Sequence, residues 1–190
     1  MCHLEEFWAN VEKRQERSDP LSPYQLVRQA THWLWTRRYD RAIDRATMAL
    51  ELEPGSPVAR SVLQDAYRGL GEHEKAFALS LEGTPEEEVT VLKKIFQESG
   101  WLGVRRRRFD HWKDKPRDSS LAATYAEFGE YDKSFEHLEK HWERPLYGNH
   151  DSPASFWWDP LRDDPRFAAL LRKLKLPEES IQRHLALPSR

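Results

Sequence analysis

The chain is 190 residues long, with 33% charged and 38% hydrophobic residues, enough for one domain with a sizeable core or for a short array of repeats. Thirty Lys and Arg against 32 Asp and Glu leave a net charge of -2, which excludes a global electrostatic pull towards nucleic acid or anionic membrane. The apolar runs are too short to span a bilayer, the first residues lack the basic and apolar regions of a secretory signal, and the single cysteine, Cys2, can form no internal disulfide, so the reading is a cytoplasmic chain with no membrane partner.

In chain order, residues 4–18 precede Pro20 as 38–52 precede Pro54. They predict a capping helix, or the remnant of a preceding repeat, over 1–18. Trp8 stands where Ala42 stands one period later, so the segment is not a regular repeat helix. Next comes "DPLSP" at 19–23, echoed thirty-four positions on by "EPGSP" at 53–57. Each copy ends one helix and starts another. Pro20 or Pro54 cannot continue the helix before it, Ser22 or Ser56 is placed to cap the next, and Pro23 or Pro57 takes its first position.

The first unit, 23–56, predicts a helix pair. Leu26, Ala30 and Trp33 share one face of its first helix; Ala42, Ala46 and Ala49 share one face of its second. Small residues at that spacing let two helices approach closely. The second unit, 57–84, repeats the layout: Leu63, Ala66 and Tyr67 face inward, Gly71 stops the helix, and Ala76 marks the close contact. Its later part decays, with Gly83 where a small helical residue belongs. A helix pair over 85–113 then interrupts the period. Thr84, Pro85 and Glu87 mark its start, Gly100 divides it, and Pro116 follows its end.

A third unit spans 116–145 through Leu121, Ala122, Tyr125, Gly129, Tyr131, Ser134 and Leu138. The stretch "SFWWDPLRDDPRFAALLRKLKLP" predicts an aromatic turn and a closing helix over 165–175, with Asp164 as N-cap and Leu170, Leu171 and Leu174 on its apolar side. Phe156, Trp157 and Trp158 are expected to plug the end of the array rather than to face a partner. Residues 178–190 read as a tail.

A 34-residue helix–turn–helix period is similar to that of tetratricopeptide (TPR) repeats. The layout resembles, over about 19–177, the C-terminal TPR region of large bacterial regulators that carry an N-terminal winged-helix, adenylate-cyclase-like or Ser/Thr-kinase domain. "DPLSP" opens a repeat there, "RRYDRAIDRATMALELEP" resembles the second helix, "ESGW" lies in the interrupting pair, and "DPLRDDPRF" with "LLRKLKLP" is the closing motif. No upstream domain of those regulators stands in this sequence, so their activities are not carried over. The expected fold is all-α: a TPR-like right-handed superhelix of antiparallel helix pairs across 19–177, with the inserted pair and a capping C-terminal helix.

Stacked TPR hairpins line a concave groove with their first helices. By register the groove positions are Tyr24, Val27, Thr31 and Leu34, then Val58, Ser61, Asp65 and Arg68, then Pro116, Ser119, Ala123 and Ala126. The Lys and Asn set with which chaperone-type TPRs clamp a carboxylate is not at these positions. No catalytic set or cofactor motif emerges: there is no phosphate loop, nucleophile elbow or HExxH. His137 and His141 share a helix face at i, i+4 and could hold a metal, but Leu138 stands where the metalloprotease pattern needs Glu, and packing is the favoured role. Cys2 and His3 make a poor metal site. Arg105, Arg106, Arg107 and Arg108, flanked by Trp101, Phe109 and Trp112, fit a single-stranded nucleic-acid patch, set against a solvated helix side neutralised by Glu86, Glu87 and Glu88. The expectation is a non-catalytic scaffold, without cofactor or metal, binding a protein or peptide segment. Self-association through the aromatic ends and nucleic-acid binding are the alternatives.

Overall fold

The computed structural model describes residues 22–112, 118–143 and 153–187, and these are all-α. The elements are α1 (Pro23–Trp35), α2 (Tyr39–Leu52), α3 (Pro57–Leu70), α4 (His73–Ser80), α5 (Glu86–Trp112), α6 (Asp118–Glu127), α7 (Tyr131–Trp142), a 3₁₀ turn (Phe156–Leu161), α8 (Pro165–Lys173) and α9 (Glu178–Leu185). The chain divides into two compact units, Met1–Ser80 and Leu81–Arg190. The readings for 1–18, Pro116, Cys2 and His3 fall outside the described residues.

In the first unit α1 packs on α2, α2 on α3, α3 on α4, and α1 also on α3. The alanines predicted for the close contacts, Ala30, Ala42, Ala46, Ala49, Ala66 and Ala76, are fully buried. The inward face of α1 is Leu26, Ala30 and Leu34, a step of four, rather than the predicted Leu26, Ala30 and Trp33. Trp33 stays half-buried, with the guanidinium of Arg41 4.8 Å from its ring centre. Ser22 caps α1 by accepting from the backbone N–H of Gln25 at 3.4 Å. Ser56 holds the same position before α3 with no side-chain cap bond. Gly71 ends α3 at φ 77°, a left-handed stop that Gly adopts without steric cost.

In the second unit Gly100 (φ 62°, ψ -160°) breaks α5 where the sequence divides it. Trp101, Val104 and Phe109 of its second half are buried. Trp101 Nε1 donates to Glu127 Oε1 of α6 at 2.9 Å. α6 and α7 pair closely because Ser134 is small: its Oγ donates to the carbonyl of Ala122 at 2.7 Å. The aromatic turn is the 3₁₀ segment, packed on α6. Trp158 is fully buried in a core with Phe135, Leu138, Trp142, Leu161, Phe167 and Leu171.

One feature departs from the sequence reading. Residues 178–190 are not simply a tail, since 178–185 form α9, with Ser180 and Ile181 buried. The segment is short, and only Ile181 and Leu185, four apart, mark its apolar side. α7 and α8 are also joined by side chains 34 positions apart. Arg166 Nη1 of α8 donates to Asp132 Oδ1 of α7 at 2.6 Å, and Lys173 Nζ to Glu139 Oε1 at 3.1 Å, each across 34 positions. The starts of α7 and α8, Tyr131 and Pro165, are likewise 34 positions apart.

Candidate protein-interaction surface

Tyr24 and Val58 sit second in α1 and α3, helices that pack against each other, and both point outward, 67% and 55% exposed. Each follows a proline at the first helical position, whose fixed φ sets the turn on which these side chains sit. The guanidinium of Arg28 lies 5.8 Å from the Tyr24 ring centre. Ser61 is exposed and Val27 half-buried one turn further on. Thr31 is half-buried and turns its hydroxyl inward to the carbonyl of Val27 at 2.8 Å. Asp65 and Arg68 pair with each other at 2.8 Å, both largely covered, so a partner meets them as a neutral couple.

Three groove assignments need correction. Leu34 is 5% exposed, because the step of four from Leu26 and Ala30 carries it into the core of its helix pair. Ala126 is 1% exposed, and Ala123 packs against the same core, because the 3₁₀ turn lies on α6. Of the third unit's predicted groove positions, Ala126 is thus interior and Ala123 partly covered. Ser119 is half-buried.

The arginine run is committed to local partners. Arg105 Nε donates to Glu127 Oε2 at 3.0 Å and its Nη2 to Thr124 Oγ1 at 2.9 Å. Arg106 lies over the Phe128 ring at 4.3 Å and pairs with Glu130 at 3.7 Å. Arg107 pairs with Glu88 at 3.3 Å, and Arg108 Nη2 donates to Thr84 Oγ1 at 3.4 Å. Burial, set against the Glu88 charge, lowers the Arg108 guanidinium from its ordinary value. The four side chains leave the helix in different directions, and their charge is met by carboxylates and hydroxyls of the same unit. Of the three predicted acids, Glu88 pairs with Arg107, while Glu127 and Glu130 come from a distant stretch that local sequence does not reveal.

His137 does not turn towards His141. Its Nδ1 lies 3.2 Å from Asp118 Oδ1 and its ring stacks on Tyr125 at 5.7 Å. Among the described residues no group of three or more His, Cys, Asp and Glu is placed to hold a metal ion. The first unit also has an open cleft of about 600 Å³ lined by Trp33, Arg41, Asp44, Arg45, Thr47 and Met48. Its α2 residues lie beside the alanine face, on a side of the helix that no sequence motif had singled out.

Compared with protein-family models, curated proteins and solved structures, the chain shows no match. No helix among the described residues is long and apolar enough to cross a membrane.

Proposed function

We propose that the chain is a non-catalytic interaction scaffold of TPR-like helix pairs that holds a segment of a partner protein along α1 and α3. The observation that carries this reading is the exposure of Tyr24 and Val58 at equivalent positions of neighbouring helices. An aromatic and a β-branched side chain left in water at one repeat interval cost little by themselves, and covering them is what a partner would gain. Val27 and Ser61 extend the strip. Leu34, Ala123 and Ala126 are not part of it.

The test is partner recovery by full-length wild type and by Tyr24→Ala/Val58→Ser. Both side chains are exposed, so the melting temperature is expected to stay within about 3 °C of wild type, because surface changes away from special features are near neutral. Recovery is expected to fall at least tenfold. Equal recovery by the two proteins removes this surface from the proposal.

A further inference from the structure

The last helix is tied down by one buried cation. The side chain of Arg162, at the end of the 3₁₀ turn, is 0% exposed, and its Nε donates to Asp159 Oδ1 at 2.9 Å. Its Nη2 donates to the carbonyl of Ser155 at 2.8 Å, and its Nη1 to the carbonyls of Pro153 at 3.1 Å and His184 at 2.8 Å. The guanidinium therefore binds the end of α9 to the turn before α8. Ile181, 1% exposed, seats α9 in the closing core, and Leu185 packs beside it. The negative end of the α9 dipole also faces this cation.

Arg162 is balanced by Asp159, its i-3 neighbour. His184 sits beside this pair, half-buried, on the residue whose carbonyl the guanidinium holds. The charges acting on its ring are Arg162 from the turn and Arg183 from its own helix, and both are positive. The nearby acids are engaged elsewhere: Glu179 with Arg183 at 3.8 Å, and Glu178, at the far end of α9, with Arg172 of α8 at 2.9 Å. A proton on His184 would place a second cation beside Arg162, whose Nε already holds Asp159 Oδ1 and whose Nη1 holds the His184 carbonyl.

We propose that α9 is an acid-released latch: protonation of His184 frees residues 177–187 from the Arg162 knot and uncovers the apolar seat of Ile181 while α6, α7 and α8 stay folded. Burial, with Arg162 and Arg183 adding to it, holds the latched imidazole down to about 4 from its ordinary 6.5. The released ring regains the ordinary value, so the latch is at full strength above 6.5 and weakens as pH falls towards 4. That interval sets a ceiling of about 300-fold on the weakening.

Hydrogen exchange of the full chain, measured by mass spectrometry at steps from pH 7.5 to 4.5 and corrected for the chemical exchange rate, tests this. Peptides from 177–187 are expected to lose protection as pH falls while those from α6, α7 and α8 keep it. His184→Leu and His184→Gln are expected to hold the latch closed to pH 4.5. Loss of protection in 177–187 together with α6–α8, no release by pH 4.5, or release of the variants at the wild-type pH overturns the proposal. Should neither variant fold, the wild-type His184 ring signal decides by NMR. A titration midpoint well below 6.5, moving with release, supports the latch, and an ordinary midpoint sinks it.

Discussion

Gly69 shows how packing overrides local preference. It lies in the last turn of α3, and helix propensity alone says that alanine there would stabilise by about 1 kcal/mol. A Cβ at this position would strike the ring of Tyr39, which is 7% exposed. Gly69→Ala is therefore expected to lower the melting temperature, at a cost of about 1–3 kcal/mol typical of overpacking. A rise in melting temperature would contradict the contact. Ala76 makes a similar case. It is fully buried, so Ala76→Arg forces a long cation into a helix contact and is expected to cost several kcal/mol, about 3 or more, in thermal or urea denaturation. The alanine positions were legible from spacing, because a close helix contact demands small side chains wherever it occurs. The Tyr39–Gly69 contact was not, since nothing in either helix names a partner thirty residues away.

Helix starts were the most legible elements. Ser22, Ser56 and Asp164 each precede a proline, and each holds the N-cap position. What differs is how well each caps. Asp164 accepts from the backbone N–H of Arg166 at 2.9 Å and takes the Arg166 guanidinium at 2.7 Å, whereas Ser56 makes no cap bond. Asp164→Ala is expected to cost about 1 kcal/mol and Ser56→Ala clearly less, as read by paired thermal melts. The guanidinium of Arg166, and then its backbone N–H, hold the Asp164 carboxyl below its ordinary value. That stabilisation is present above the ordinary carboxylate value and is lost as pH falls through the depressed one. Asp164→Asn keeps an acceptor and removes the charge, so its melting temperature is expected to fall less steeply than wild type at acid pH. The arginine run was half legible. Its neutralisation by Glu88 was within reach of the sequence, but Glu127 and Glu130 meet it only because α5 and α6 come together.

At the scale of the whole molecule, the end of the chain depends on the Arg162–Asp159 pair, 0% and 2% exposed. Arg162→Met leaves Asp159 without its cation in a dry site and is expected to cost about 3–5 kcal/mol in urea denaturation. The double variant with Asp159→Leu is expected to recover part of that loss, and a double variant as unstable as the single would contradict the pairing. The sequence by itself determined an all-α chain, the 34-residue spacing of its first helix pairs, the break at Gly100 and the proline-led helix starts. These are local matters of periodicity, backbone freedom and capping. Tertiary structure alone decided that Leu34 and Ala126 are interior, that the arginines are spoken for, and that α9 closes the core. Burial and charge pairing are properties of what lies across from a residue, and the residue facing it is set by packing rather than by its neighbours in the chain.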